Sequence, residues 1–275
     1  MKFTKMHGTG NSFICIHCFR EIPEKPEEFA KWICDPHRGA GADGLLLIKP
    51  SGTADFGMEI YNADGSAAKM CGTGIRCLGK YVYDGRMTEK TYLTVETAAG
   101  IRTLTLRVEE EQVRQVCVDM GTPRLNAHCI PILSEKDMIF DDPIQVCGKE
   151  YRMTGISMGN PHAVVFAGGV KNFPVEEVGR AFEYHPRFPE RINTEFCEVE
   201  DRRRIRLRVW ERGVGETLSC GTGACAAVVA SVLNNLTDDE VTVKLVGGEL
   251  RVKWDRPVNR VYMTGPAERV FEGML

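Results

Sequence analysis

A tetrapeptide of cysteine, glycine, threonine and glycine occurs twice in this chain of 275 residues, and this repeat constrains the fold more than any other feature. The first copy starts at Cys71 and the second at Cys220, an offset of 149 positions. The same offset aligns further residues of the two halves without a gap: Asn11 with Asn160, Asn62 with Glu211, Gly44 with Asn193, and 56–61 with 205–210. Because solenoid repeats are much shorter, a period of this length indicates a duplicated domain.

The patterning of apolar residues predicts mostly strands in both halves. In the first half, strands are predicted at 2–6, 12–19, 45–48, 56–61, 91–96, 101–109 and 112–119. In the second half, they are predicted at 163–167, 195–199, 204–210, 241–245, 249–254 and 260–263. Helices are predicted at 27–34, 74–83, 175–183 and 223–234. We expect a boundary between two packed domains near 120–123, where a turn signal follows a strand.

The helix predicted after Cys220 is apolar all round, which is typical of a helix buried on every side. We expect the strands of its own half to wrap it. The longest apolar or small run, 224–233, has half of the ~20 residues that a membrane span needs, and the first residues do not open a signal peptide. The sequence therefore predicts a cytoplasmic protein without a membrane partner.

The charge balance disfavours polyanionic partners. Lys and Arg number 35 against 38 Asp and Glu, so the formal net charge is −3 and no global field attracts nucleic acid or anionic membranes. The three arginines at 202–204 are interpreted as a solvated turn before a strand. We expect no nucleic-acid partner.

The cysteine usage indicates reduced thiols. Eleven cysteines are an odd number, they are scattered, and many lie in apolar strings, which does not suit a disulfide framework. Cys15 and Cys18 form the only C-x-x-C pair, and no second pair follows at zinc-finger distance. We expect no metal site.

Cys71 and Cys220 each precede a predicted helix, where free backbone N–H groups and the positive end of the helix dipole favour anions. We therefore expect their thiol pKa values to lie below the usual ~8.5, toward neutrality. The flanking glycines allow a ligand carboxylate to reach the backbone amides. A single cysteine in this position is more often a small buried hydrophobe, and we interpret Cys77 and Cys225 in that way. Duplication of the whole tetrapeptide favours a functional role for the first two.

If the two halves pack with approximate two-fold symmetry, the two cysteines would face each other across the cleft between the domains. A thiolate and a thiol placed in this way supply the base and the acid that invert a carbon stereocentre through a planar carbanion. Amides of both helix starts would stabilise the negative charge that develops. This scheme needs no metal or pyridoxal cofactor.

Six blocks of sequence carry a resemblance to a known family. They are 6–13 (MHGTGNSF), 38–44 (RGAGADG), 62–66 (NADGS), 70–72 (MCG), 159–162 (GNPH) and 211–223 (ERGVGETLSCGTG). In this order and over nearly the whole chain, the sequence resembles the diaminopimelate epimerases. The last block is the most specific of the six.

The resemblance implies an α/β fold of two pseudo-symmetric domains, each a mostly antiparallel strand barrel rolled around a central helix. Because the C-terminal segment of the family returns to the first domain, it implies domains at 1–119 plus 264–275 and at 120–263. It implies cofactor-independent interconversion of LL- and meso-diaminopimelate, which supplies lysine and cell-wall synthesis.

The family's site residues carry over position by position. Cys71 and Cys220 match its catalytic cysteines, and His162 and Glu211 match residues that tune those thiols. The substrate-binding positions of the family match Asn11, Asn62, Gly72, Thr73, Asn160, Asn193, Glu211, Arg212, Gly221 and Thr222. Arg212 suits the distal carboxylate because a guanidinium can bind two oxygens. Phe271 aligns with a position tied to dimer formation, so a homodimer is expected.

Two departures and two alternatives accompany this prediction. Thr73 stands where the family usually has Asn, and Ser12 stands where Asp is common. Both bear on substrate preference, since related racemases of proline, hydroxyproline or histidine share the cysteine pair. The alternatives are therefore a racemase of another amino acid and a catalytically silent amino-acid-binding protein.

Overall fold

The computed structural model describes residues 1–275, which divide into two compact units. The first unit is Met1–Asp119 together with Thr264–Leu275, and the second is Met120–Met263. Up to the end of the first unit, the elements are β1 Lys2–Gly8, β2 Asn11–His17, α1 Pro26–Ile33, β3 Gly44–Lys49, β4 Phe56–Asn62, β5 Ala67–Ala68, α2 Gly72–Asp84, β6 Tyr92–Thr97, β7 Gly100–Glu109 and β8 Gln112–Gly121. The last of these strands leads into the second unit.

The remaining elements belong to the second unit and to the C-terminal segment that returns to the first unit. Their elements are β9 Asp142–Val146, β10 Lys149–Ser157, β11 Pro161–Phe166, α3 Val175–Glu183, β12 Asn193–Asp201, β13 Arg204–Glu211, β14 Gly215–Thr217, α4 Gly221–Leu233, β15 Glu240–Leu245, β16 Gly248–Asp255, β17 Arg260–Gly265 and β18 Glu268–Met274. Two 3-10 turns lie at Ala127–Cys129 and Val170–Asn172. β17 carries the chain back to the first unit, where β18 lies.

The two units repeat one order of strand pairing. In the first unit, β1 pairs antiparallel with β2, β2 parallel with β3, β3 antiparallel with β4, and β4 parallel with β6, which begins the antiparallel run β6–β7–β8. In the second unit, β10, β11, β12, β13, β15 and β16 pair in the same sequence. One further antiparallel strand flanks each set: β18 on β1 and β9 on β10. The fold is thus α/β with two pseudo-symmetric domains, each a mostly antiparallel sheet.

One helix lies at the centre of each domain. α2 contacts β1–β4 and β7, and α4 contacts β10–β13, β15 and β16. Every residue of α4 from Gly223 to Ser231 is buried, which confirms the prediction of a helix without a polar face. The outer helices α1 and α3 bury only part of their surface, and both start with two glutamates in the first turn, where negative charge is favourable.

The sequence patterning missed several strands. It did not predict β5, β9, β10 or β14, and it identified the C-terminal segment only through the resemblance. A signal for β10 was present, because β1 shifted by the repeat offset falls on 151–157. β5 and β14 have only two and three residues and give no periodic pattern.

The longest helices have 13 residues, and no helix of the structure has the length and apolarity of a membrane span. All eleven cysteines are free thiols, and the buried ones include Cys15 and Cys18, whose thiols donate to backbone carbonyls of their own strand region.

Candidate active site

Each cysteine of the repeated tetrapeptide is the N-cap of the central helix of its unit. Cys71 has extended backbone angles and its sulfur accepts a hydrogen bond from Gly74 N–H at 3.5 Å. Cys220 has the same conformation and accepts from Gly223 N–H at 3.4 Å. Neither helix has an acidic residue in its first turn, so each sulfur meets the positive end of a helix dipole without an opposing charge from its own helix.

The Cys220 thiol does not have the lowered pKa that its helix position predicts. Burial raises the pKa of this thiol well above its ordinary value, and the negative charge of Glu211 raises it further. Hydrogen bonds from Thr222 and Gly223 lower the pKa, but by less. The prediction of a more acidic thiol is therefore wrong for Cys220 in this state, since removal from water outweighs the helix dipole. This thiol is protonated at neutral pH.

A chain of hydrogen bonds leads from the interior of the second unit to Cys220. His162 is fully buried on β11, and its Nε2 lies 2.9 Å from Asn160 Oδ1. Asn160 Nδ2 donates to Thr222 Oγ1 at 3.2 Å, and Thr222 Oγ1 lies 3.5 Å from Cys220 Sγ. His162 is thus connected to the sulfur through two intervening side chains in this structure.

Two carboxyl groups of the second unit lie near Cys220. Glu195 on β12 is fully buried, and its Oε1 lies 2.7 Å from His162 Nδ1. Glu211 lies at the end of β13, is partly exposed, and accepts a hydrogen bond from Thr217 Oγ1 at 2.6 Å. Glu211 was predicted from the resemblance, whereas Glu195 was not predicted at all.

The surroundings of Cys71 in the first unit are different. Asn11 Nδ2 donates directly to Cys71 Sγ at 3.9 Å. Thr73 is buried, and its hydroxyl accepts from Arg76 Nη2 at 3.4 Å. Arg76 is fully buried and also donates to the carbonyl oxygens of Gly72 and Pro266, at 3.1 and 3.2 Å. A permanent cation therefore lies at the start of α2, where the second unit has Cys225 at the equivalent position.

The remaining predicted substrate residues lie at strand ends and turns. Asn62 is exposed and donates to Ser66 Oγ at 2.9 Å, beside the start of α2 in sequence. Asn193 is buried; its Nδ2 donates to Pro161 O at 2.8 Å, and its Oδ1 accepts from Arg212 N–H at 2.9 Å. Asn193 thus holds the turn that carries Arg212, whose exposed guanidinium donates to Glu190 O at 2.9 Å.

The two departures from the family pattern have local partners. Ser12 is hydrogen-bonded to Asp43. Asp43 Oδ2 accepts hydrogen bonds from the Ser12 N–H and from the Ser12 hydroxyl, both at 2.7 Å. A carboxylate is therefore present at this place although residue 12 is not acidic. The Thr73 hydroxyl accepts a hydrogen bond from Arg76, a contact that a threonine side chain makes here in place of the asparagine usual in the family.

Phe271 lies on β18 and pairs with Lys5 of β1. Its ring is 42% exposed, stacks edge-on against Phe3 with 6.0 Å between centroids, and has Lys5 Nζ 5.8 Å from its centre. The partly exposed ring is available for contact with another surface.

The family model described as diaminopimelate epimerase matches residues 3–126 and 154–270. The diaminopimelate epimerase of Acetivibrio thermocellus is 54% identical over 273 residues, covering 99% of this chain and 98% of its own. That of Methanococcus maripaludis is 50% identical and covers 99% of both chains. The chain belongs to the diaminopimelate epimerase family. As members of that family are isomerases by name, this diaminopimelate epimerase homologue is classed with the isomerases.

Solved structures show how widely the fold of the family extends. A hydroxyproline epimerase from Agrobacterium vitis superposes with a TM-score of 0.71 at 18% identity, covering 100% of this chain and 90% of that one. A phenazine biosynthesis protein of the PhzF family from Bacillus anthracis superposes with a TM-score of 0.72 at 16% identity, covering 100% and 98%. At this level of identity, the likeness concerns the fold.

Glu195 and Arg76 are the two charged residues near the cysteines that sequence reasoning missed. Glu195 lies in the buried first part of β12, on the same face of the strand as Cys197, and Arg76 lies on a helix whose other buried residues are mostly small or apolar. A charge at a position that periodicity assigns to the core was the available signal, since charged residues are almost never fully buried unless they are paired.

Proposed function

We propose that this protein is a cofactor-independent epimerase that interconverts LL- and meso-diaminopimelate, with Cys71 and Cys220 as its two acid–base groups. The observation that carries the proposal is that two cysteines related by the duplication cap the central helices of both units in a chain of this family. Sulfur is the only titratable group that both copies of the tetrapeptide provide.

The proton balance needs nothing but these two sulfurs and the substrate. One cysteine, as thiolate, removes the α-proton and becomes a thiol, while the substrate carbon becomes a planar carbanion. The other cysteine, as thiol, delivers its proton to the opposite face and becomes a thiolate. The stereocentre is inverted, and the enzyme holds the same number of protons as before with the two roles exchanged. In the reverse direction each cysteine plays the other part.

The electrostatic surroundings of the two cysteines differ before substrate binds. Burial and the carboxylate of Glu211 keep Cys220 as a thiol, whereas the start of α2 carries the buried guanidinium of Arg76. Positive charge favours a thiolate. We therefore assign Cys220 as the acid and Cys71 as the base of the free enzyme.

The helix starts are proposed to bind the substrate carboxylate next to the reacting carbon. Their backbone N–H groups bear partial positive charge, and they stabilise the charge that flows into the carboxylate as the α-proton leaves. These are the amides of Gly72, Thr73, Gly221 and Thr222. The distal amino-acid group of the substrate is assigned to the polar side chains of Asn11, Asn62, Asn160, Asn193, Glu211 and Arg212.

Two observations favour diaminopimelate over a smaller amino acid. The relatives of about half identity over the full length are named diaminopimelate epimerase, and the chain has an exposed Arg212 held on a turn by Asn193. A bidentate guanidinium suits the second carboxylate of a diamino-dicarboxylate. A panel with proline, hydroxyproline and histidine separates the racemase alternative from this proposal.

The direct test is incubation with LL-diaminopimelate in heavy water. We expect deuterium at one α-carbon of the product and formation of the meso isomer. Absence of both rejects the proposal. Cys71→Ala and Cys220→Ala should each lower kcat/KM by roughly 10³-fold or more, since each removes one acid–base group. Retained substrate binding with no wild-type turnover to lose would instead support a silent binding protein.

Three further parts of the proposal concern the assembly, the location and the metabolic role of the protein. A homodimer that buries Phe271 is proposed, and sedimentation of the wild type and of Phe271→Asp checks it, with dissociation expected for the variant. A cytoplasmic location and a role in lysine and cell-wall precursor synthesis follow from the proposed reaction, and complementation of an epimerase-deficient lysine auxotroph checks the latter.

A further inference from the structure

The groups behind the two cysteines are not equivalent, although the duplication places them at matching positions. In the second unit, a Cβ built on Gly223 would lie 2.7 Å from Glu195 Oε1 and 3.3 Å from Cys220 Sγ. In the first unit, a Cβ built on Gly74 would meet the side chains of Ile60 and Leu46 at 3.1 and 3.7 Å. The carboxyl group therefore reaches the helix start beside Cys220, and aliphatic carbons occupy that place beside Cys71.

The repeat offset shows which residues differ between the two units at these matching positions. Glu195 corresponds to Leu46, and its hydrogen-bond partner His162 corresponds to Phe13. The strand registers agree, because Phe13 pairs with Gly44 across β2–β3 and His162 pairs with Asn193 across β11–β12. One unit thus has an apolar pair where the other has a fully buried His–Glu pair. Burying two ionisable groups costs free energy, which indicates that this pair has a role other than packing.

The hydrogen-bond directions in the second unit follow from atom types. Asn160 Oδ1 is a carbonyl oxygen and only accepts, so His162 Nε2 carries the hydrogen in their 2.9 Å contact. Asn160 Nδ2 then donates to Thr222 Oγ1. Because Thr222 Oγ1 accepts this bond, its own hydrogen is available for Cys220 Sγ at 3.5 Å. Every donor in the series points toward the sulfur, which favours the thiolate that Cys220 becomes after it has delivered its proton.

The contact between His162 and Glu195, at the other end of this series of hydrogen bonds, must also contain a proton. His162 Nδ1 and Glu195 Oε1 lie 2.7 Å apart, and with Nε2 protonated this contact holds either an imidazolium and a carboxylate or a neutral imidazole and a carboxylic acid. The second oxygen of Glu195 is buried without a hydrogen-bond partner, which is costly for an ionised carboxylate. Burial also raises the pKa of the Glu195 carboxyl. The structure therefore favours a protonated Glu195 that donates to Nδ1.

We propose that Glu195 is a positioning residue for proton transfer at Cys220: as a carboxylic acid it donates to His162 Nδ1, fixes the imidazole with its hydrogen on Nε2, and so orients Asn160 and Thr222 as donors to the sulfur. This inference rests on the proposed function, because it concerns one of the two acid–base groups. It also assigns the two units different tasks, since the apolar pair behind Cys71 has no counterpart of this series.

The test uses two substitutions of Glu195, one that keeps a donor to His162 Nδ1 and one that removes it. Glu195→Gln keeps the shape and an N–H donor to Nδ1, and Glu195→Leu installs the residue of the first unit and removes the donor. Leu46→Met, a volume-conserving change at the matching position behind Cys71, is the control. Each protein is alkylated with iodoacetamide between pH 7 and 11, and modification of Cys71 and of Cys220 is followed separately by peptide mass spectrometry, alongside kcat/KM for LL-diaminopimelate.

We expect Glu195→Gln to keep kcat/KM within about threefold and the pH midpoint of Cys220 alkylation unchanged. For Glu195→Leu we expect a loss of kcat/KM of about tenfold or more, in the range found when a residue that orients a reactive group is removed. The midpoint of Cys220 alkylation should move to higher pH, and that of Cys71 should not move. Leu46→Met should leave both midpoints in place.

The double variant His162→Phe/Glu195→Leu covers the case in which Glu195→Leu does not fold, because it reproduces the apolar pair of the first unit. It should move the pH midpoint of Cys220 alkylation to higher pH, as we expect for Glu195→Leu. Wild-type Cys220 behaviour in either leucine variant, or a glutamine variant as impaired as the leucine one, overturns the proposal. Since alkylation needs no substrate, it decides the role of Glu195 even if the wild type fails to epimerise diaminopimelate, which would overturn the proposed function alone.

Discussion

A carboxyl group that keeps its proton in the folded state makes folding depend on pH in a defined direction. Glu195 is fully buried, and its pKa is raised above the ordinary value of about 4.3. Above that pH an unfolded chain releases the proton and the folded chain retains it. Folding then takes up a proton, so the stabilising effect is complete at low pH and is lost as pH rises toward the folded-state pKa.

Glu195→Gln removes this pH-dependent contribution to the free energy of unfolding without changing the shape of the side chain. We expect the free energy of unfolding of the variant, relative to wild type, to increase with pH above about 4.3, by up to ~1.4 kcal/mol per pH unit. The increase stops where Glu195 ionises in the folded wild type. Urea unfolding of both proteins between pH 5 and 8 measures the difference. A difference that stays constant over this range would show that Glu195 is already ionised.

Single residues also show where prediction from the sequence ends. The duplication identified Cys71 and Cys220, and their N-cap positions follow from the glycines after them. Their environments did not follow, because Glu195 and Arg76 reach the helix starts from a neighbouring strand and from the next turn of the helix. The expected acidity of Cys220 was wrong for this reason: desolvation and carboxyl groups are tertiary features, and the helix dipole is a local one.

At the level of elements, the start of α4 is more tightly constrained than the start of α2. An alanine at 223 would place its Cβ 2.7 Å from Glu195 Oε1, whose carboxyl is held by His162. An alanine at 74 would meet the end of the flexible Ile60 side chain at 3.1 Å.

We expect Gly223→Ala to destabilise the protein by about 1–3 kcal/mol, as overpacking does, and to lower kcat. Gly74→Ala should stay within about 1 kcal/mol of wild type, because a small shift of Ile60 is offset by the higher helix propensity of alanine. Thermal unfolding midpoints and initial rates of the two variants give the comparison. The reverse order of stability would contradict the packing described here.

The elements that periodicity predicted best are the ones with a single environment. α4 is buried all round and α3 has one apolar face, and both were predicted to within three residues of their observed ends. Strand β9 was missed because it is short and starts with Asp142 and Pro143, and β10 was missed because its burial does not alternate regularly, although the repeat offset pointed to β10. Parallel pairing of β2 with β3, and of β11 with β12, is a tertiary choice that the patterning of one strand does not reveal.

At the level of the whole molecule, the proposed reaction predicts sensitivity to oxidation. If both sulfurs approach one carbon, they can also approach each other, and a mild oxidant such as diamide should link Cys71 with Cys220 and abolish activity. Dithiothreitol should restore it, because disulfides exchange with free thiols.

Peptide mapping of the oxidised protein identifies the linked pair, and Cys71→Ala serves as the control that cannot form it. The exposed Cys147 is expected to react separately without loss of activity. Full activity after complete oxidation of Cys71 and Cys220 would refute the proposed two-sulfur geometry.

The two ends of the chain lie side by side in the first unit. The Met1 amino group donates to Leu275 O at 3.0 Å, and Leu275 N–H donates to Met1 O at 2.9 Å. A short glycine-rich linker can join them, and a gene reopened at the turn after β8 would then encode each unit as one uninterrupted stretch. Such a circular permutant should fold and turn over substrate like the parent. It would also allow the halves to be produced as separate polypeptides and mixed, so that labels can be placed on one sulfur at a time.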